Sequence, residues 1–299
     1  MNSIKLRRAI EEKRNSLTAK ELFLTDEYKE YIGNLVTTNT NRYKKKIRVI
    51  IDWQDKENSR LAYTNNKMIY VNVGHPRIQS LGSFSEMNIS LIGLVAHEIG
   101  HILYTDFDKV LVFKERIYNG IFLATGFERE KKEIRAYFDK ENPRIDKYLI
   151  KMFHRFMNIF EDYYIENLMC INFPGLFKKG IRFNSYLFSP VSIEHELEQG
   201  KKEIYIIIGA MVFYNKKGHF DFGKYTGVLA GVLSKCFEII DKLKENDNTP
   251  FIDREIAVEQ IVLLVWDYIK EIIEDFKDNE VDKANDKDEQ EQEKLEDTV

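Results

Sequence analysis

Cysteine is almost absent from this chain: Cys170 and Cys236 are the only two in 299 residues. That excludes a disulfide scaffold and a thiolate zinc site, and reads as two reduced, buried thiols. The 5 prolines and 15 glycines are too few for a collagen-like or proline-rich chain. Neither charge dominates, since 45 Lys+Arg stand against 49 Asp+Glu for a net charge of −4. A protein whose main task is neutralising nucleic-acid phosphates is more basic than this, so no specific nucleic-acid partner is expected. Only Arg42 to Arg48 forms a local basic patch, and its lysine run, Lys44 to Lys46, reads as the solvated end of a strand. Long apolar runs are missing too. The most apolar stretch, Ile204 to Tyr214, is about half of the roughly 20 residues that cross a bilayer. The first residues are charged where a secretory leader has a continuous apolar core. No membrane partner and a cytoplasmic location are the expectation.

What the chain does have is 43% hydrophobic and 31% charged residues, enough apolar side chain for a sizeable core. From about Ile4 to Asn34, Leu6, Ile10, Leu17, Leu22 and Leu24 recur among charged positions, predicting two short helices with a break near Ser16 to Thr18. Lys46–Trp53 and Lys67–Val73 are rich in β-branched and aromatic residues and predict strands, with Leu61–Tyr63 as a third short piece and Thr64-Asn65-Asn66 supplying turn chemistry. Ser83 and Glu86 have capping-box spacing. A helix should follow from Met87 to Tyr104, apolar round most of its circumference and therefore interior. Phe107 to Asp139 should be mostly helical. Asn142-Pro143 starts a second long helix, which Asn172-Phe173-Pro174-Gly175 ends. Ile181–Gly200 reads as loop-rich, and Glu203–Tyr214, Tyr225–Glu245 and Asp253–Lys277 as three further helices. From Asp278 the chain is acidic with almost nothing apolar, the composition of a flexible tail or linker. The fold class is α+β, predominantly helical.

His97-Glu98-Ile99-Gly100-His101 has the pattern H-E-x-x-H. On a helix, positions i and i+4 share a face, so both imidazoles can reach one tetrahedral metal at about 2.0–2.1 Å. Glu98 then sits where its carboxylate can take the proton of an attacking water, whose pKa a divalent ion lowers from about 15.7 towards about 7. Burying two histidines and a glutamate on so apolar a helix is costly unless something pairs with them. A catalytic zinc has three protein ligands and an open position, so a third ligand is needed. The glycine and ligand that follow the second histidine in metzincins are replaced by Tyr104 and Phe107. Asp106, about 500° round the helix from His101, reads as a helix-end acid. The remaining candidate is Asn158-Ile-Phe-Glu161-Asp162-Tyr-Tyr-Ile-Glu166, where acids punctuate an apolar helix. Glu161 is the first choice as ligand and Asp162 its rival. With Glu161 as ligand, Asp162 and Asn158 would orient the histidines, and Glu166 is expected to be exposed or bonded to Arg155 or a backbone amide. Tyr163, Tyr164, His154, His195 and His219 are candidates for stabilising an oxyanion.

HEIGH on one helix with NIFEDYYIE on a later one resembles the gluzincin type of zincin metallopeptidase. The likeness is closer to the metallopeptidase-like domains that precede von Willebrand factor A modules in bacterial and phage proteins, and it covers about Arg48 to Asn167. The resemblance implies a zincin-like core of small sheet plus active-site helix, with Zn2+ held by His97, His101 and Glu161 and with Glu98 as general base. It also implies a protein or peptide substrate, and a strand edge, Lys67–Val73, that pairs with an extended peptide. Residues 1–40 are then an N-terminal helical segment, 41–200 the catalytic domain, 201–277 a helical C-terminal subdomain and 278–299 an acidic tail that can meet a protein partner. The expected function is zinc-dependent hydrolysis of peptide bonds. The rival is a catalytically silent zincin-shaped interaction module linked to a partner or motor protein.

Overall fold

The computed structural model describes residues 17–56, 59–139, 142–187, 191–246 and 248–278, with Ile4, Lys5 and Arg8 before them. The first expected helix, those three residues apart, and the acidic tail beyond Asp278 lie outside the described residues. Thr18 and Glu21 form a capping box that opens α1 (Ala19–Phe23), and Thr25 caps α2 (Asp26–Thr40) by accepting from the Tyr28 amide. These threonines satisfy amides that a helix start leaves without a partner.

Three strands follow, β1 (Arg48–Asp52), β2 (Ala62–Thr64) and β3 (Met68–Asn72), in the order β1-β3-β2. β1 runs parallel to β3, with Arg48 opposite Met68 and Asp52 opposite Asn72. β2 is antiparallel to β3, with Tyr63 opposite Tyr70. The hairpin between β2 and β3 turns at Asn66 (φ 68°), a left-handed position that asparagine tolerates. The Asn65 side chain closes the turn by accepting from the Met68 amide at 2.9 Å. Lys67–Val73 is therefore not an edge available to a peptide, contrary to the expectation. The hairpin sets β2 on one side of β3 and β1 pairs on the other, which puts Ile69 and Val71 in the middle of the sheet at 0% and 1% exposure.

After α3 (Pro76–Gln79) comes α4 (Phe84–Tyr104), whose cap Ser83 accepts from the Glu86 amide at 3.2 Å. It lies against β2 and β3 and buries Leu91, Ile92, Val95, Ala96, Ile99 and Ile102. The remaining helices are α5 (Phe107–Tyr118), α6 (Glu128–Phe138), α7 (Pro143–Asn172), α8 (Leu176–Tyr186), α9 (Ile193–Glu198), α10 (Glu203–Lys217), α11 (Val228–Lys244), α12 (Phe251–Leu264) and α13 (Trp266–Asp278). The fold is α+β and predominantly helical, with a small sheet beside the H-E-x-x-H helix, as in a zincin-like core. No described helix is long and apolar enough to cross a membrane.

Three segments differ from expectation. The second of the two expected N-terminal helices is itself two, α1 and α2, divided at Leu24 and Thr25. The stretch read as loop-rich holds the end of α8 and all of α9. Gly180, a helix breaker by composition, is helical because it lies against α4, where a Cβ would come within 2.4 Å of the Gly93 backbone nitrogen. The last predicted helix is two, α12 and α13, divided at Val265, which is buried together with Trp266.

The described chain divides into two compact units, each discontinuous in sequence. One comprises residues up to Thr105 and Ile165–Leu187, with a core that includes Leu22, Phe23, Ile69, Val95, Ile99, Met169 and Phe177. The other comprises Asp106–Tyr164 and the described residues after Leu187, with a core that includes Phe113, Phe153, Phe156, Ile207, Val258 and Trp266. α7 runs unbroken through the boundary between Tyr164 and Ile165.

Candidate metal centre

His97 and His101 stand one turn apart on α4 and their ring planes are nearly perpendicular, with centroids 4.8 Å apart at 79°. Their Nε2 atoms are 3.2 Å apart. The other nitrogen of each ring is held. His97 Nδ1 meets Glu166 Oε1 at 2.9 Å, and His101 Nδ1 meets Thr105 Oγ1 at 3.0 Å. An ionised carboxylate only accepts, so the Nδ1 proton of His97 is the donor and a neutral ring presents its lone pair at Nε2. When both rings are neutral with Nδ1 protonated, two lone pairs face each other, an arrangement that a cation between them relieves. Tetrahedral coordination with bonds of about 2.0–2.1 Å places two nitrogen ligands roughly 3.3 Å apart. The pair has the spacing that one ion requires.

Asp162 completes the group: one ligand atom each from His97, His101 and Asp162 lie within 4.8 Å of one another. Asp162 stands one turn before Glu166 on the unbroken α7, so the helix itself carries it to the same face as the carboxylate that His97 touches. Glu98 follows His97 and is 7% exposed. The donor set of two imidazoles and a carboxylate suits a divalent ion of the zinc class.

The backbone around these residues explains their placement. Thr105 leaves the helical conformation (φ −79°, ψ 128°) and ends α4, its amide donating to the His101 carbonyl at 3.1 Å. One residue thus stops the helix and holds a ring nitrogen. The end of α4 is further tied by the Tyr43 and Tyr104 hydroxyls, 3.0 Å apart, and by Lys45, which donates to the Ile102 carbonyl. Lys44, Lys45 and Lys46 are all exposed, the solvated strand end expected of this run, and Lys45 adds one contact to α4. Gly100, inside the motif, leaves room for α7: a Cβ there would lie 3.1 Å from Ile165 Cβ and from Met169 Cγ. Gly93, one turn before His97, does the same for α8.

Sequence reasoning and structure part at the third acid. Glu161, the first choice, is 2% exposed and its Oε1 accepts from Arg254 Nε at 2.6 Å, while Asp162, the rival, joins the histidines. Consecutive helical residues point about 100° apart, so one helix face does not present both. Glu166, expected at the surface or on Arg155, is instead the partner of His97, with side-chain exposures of 16% and 17% for the pair. Its signal was the Asp162–Glu166 spacing of one turn. Thr105 was missed, although a hydroxyl four residues after the second histidine had the same signal. Asp106 is the helix-end acid it was read as, accepting from the Lys109 amide at 3.2 Å. Of the oxyanion candidates, Tyr164 donates to Asn248 at 3.2 Å, His219 rests on the Lys217 carbonyl at 3.2 Å, and the Tyr163 ring carries Lys244 at 4.8 Å. His195 lies in α9, and neither it nor His154 belongs to the cluster.

No protein-family model matches the chain, and no curated protein or solved structure does. The chain holds a His97-Glu98-x-x-His101…Asp162 cluster compatible with a gluzincin-type site and able to chelate a metal ion.

Proposed function

We propose that this chain is a zinc-dependent metallopeptidase that hydrolyses peptide bonds, with His97, His101 and Asp162 as metal ligands and Glu98 as general base. The observation that carries this reading is the paired Nε2 atoms 3.2 Å apart, each ring held at its Nδ1, with a carboxylate beside them. A structural zinc site has four closed protein ligands, whereas three with an open position is the catalytic pattern. A divalent ion there supplies Lewis acidity, polarising a carbonyl and making water acidic. Glu98 takes the proton from the attacking water and passes it to the departing amine nitrogen, so one carboxylate acts first as base and then as acid. Glu166 keeps the His97 ring in one tautomer, and Glu166 and Thr105 together hold the two rings in orientation. The reading includes a protein or peptide as substrate and a cytoplasmic location. It also includes the likeness of NIFEDYYIE to metallopeptidase-like domains joined to von Willebrand factor A modules.

The test pairs metal content with cleavage. Native protein should hold one zinc per chain and cleave an unstructured protein, and chelation should abolish cleavage. Glu98→Gln should keep the zinc and lose cleavage by a factor of about 100 or more. Native and Glu98→Gln proteins equally inert towards a wide peptide library, with zinc bound in both, would instead favour the interaction module.

A further inference from the structure

We propose that Arg254 is a positioning residue that decides which of two adjacent acids, Glu161 or Asp162, is offered to the metal. The inference rests on the metallopeptidase reading of the cluster. Both acids are buried, at 2% and 4% exposure, and both are chemically competent ligands. A rotation of α7 by about 100° would exchange them.

Arg254 opposes that exchange from the first turn of α12. Its Nε donates to Glu161 Oε1 at 2.6 Å, its guanidinium lies 3.8 Å from the centre of the Tyr164 ring, and Nη1 donates to the Thr249 carbonyl. Arg254 is itself 4% exposed. The grip falls on positions 161 and 164, an i, i+3 pair that brackets Asp162 along one helical turn. A buried carboxylate without a counter-charge is unstable, and Arg254 neutralises Glu161 where it stands. Glu161 then has no electrostatic reason to turn towards a cation, and α7 keeps the rotation that presents Asp162. Only a planar guanidinium meets a carboxylate with one N–H, a carbonyl with another and an aromatic face with its own face.

The experiment measures zinc affinity by competition with a chromophoric chelator, the visible spectrum of the cobalt-substituted protein, and thermal unfolding of the metal-free protein. Native protein and His97→Ala come first: zinc bound by the former and lost in the latter establishes the metal site, and failure there defeats the underlying reading instead. Arg254→Met should then weaken zinc by about 10- to 100-fold and alter the cobalt spectrum. The double variant Arg254→Met with Glu161→Met should recover native affinity and spectrum, because the stray carboxylate is gone. A folded Arg254→Met with native affinity and spectrum overturns the proposal, as does a double variant that stays folded but binds zinc no better than the single one. If Arg254→Met does not fold, the double variant decides alone. Native affinity supports the proposal, and loss of zinc shows that Glu161 or Arg254 is itself needed at the ion.

Discussion

Gly93→Ala should unfold this protein about 5 °C lower and loosen its metal centre, although the substitution adds one methyl group to a helix. At Gly93 a Cβ would sit 2.4 Å from the Gly180 oxygen, 2.5 Å from the Gly180 carbonyl carbon and 2.6 Å from Asn184 Nδ2. The first two are backbone, so no side-chain rotation relieves them, and α4 and α8 must part. Overpacking of this kind costs about 1–3 kcal/mol. Parting the helices also strains two hydrogen bonds at the same crossing, Ser90 Oγ to Asn184 Oδ1 at 2.7 Å and Asn184 Nδ2 to the Ser90 carbonyl at 3.0 Å, each worth about 0.5–1.5 kcal/mol. Against this, alanine gains about 1 kcal/mol of helix propensity. The net is a loss of roughly 3 kcal/mol, which for a chain of this size lowers the midpoint by about 5 °C. His97 lies one turn further along α4, so zinc affinity should fall with it. The control is Gly33→Ala in α2, where the added Cβ meets nothing within 4 Å and should leave stability unchanged or raise it by up to about 1 kcal/mol. Circular dichroism during thermal unfolding measures both. A Gly93→Ala protein that melts with or above the native one shows that the two helix backbones are not in contact.

Glu166→Gln should retain the fold and bind zinc about 10- to 100-fold more weakly, measured by chelator competition, because the His97 Nδ1 proton loses its charged acceptor. Lys244 lies over the rings of Tyr163 and Tyr214, 4.8 and 5.1 Å from their centres, and burial pulls its ammonium from 10.5 down to about 8. At this amine the unfolded chain then binds more protons than the folded one between those values, so the contribution of Lys244 to stability should rise with pH from about 8 to about 10.5. In urea titrations the stability of the native protein relative to Lys244→Met should therefore rise over that range, and a difference that falls or stays flat contradicts the burial of this amine. Cys236 is buried and its thiol is pushed up to about 12, so the native protein should resist alkylation there at pH 8 until it is denatured, as mass spectrometry of digested protein would show.

Much of this molecule was written in local patterns. Ser83, Thr18 and Asn142 announce helix starts because a short polar side chain beside an unpaired amide acts within three residues of itself. The strands of the sheet were legible from their β-branched and aromatic content, and H-E-x-x-H from a spacing that any helix converts into a shared face. Strand order was not legible, because Lys67–Val73 reads the same at the centre of a sheet as at its edge. Neither was the division at Val265, which carries no proline or glycine and is set by the burial of Val265 and Trp266.

By itself the amino-acid order determined the class of fold and set His97 and His101 on one helix face, since both depend on residues within a turn or two of each other. Tertiary structure alone decided which acid joins them. Glu161 and Asp162 are neighbours of equal chemistry on one apolar helix. The choice between them belongs to Gly100, which admits α7 beside α4, and to Arg254, which holds the other carboxylate from 93 residues away along the chain.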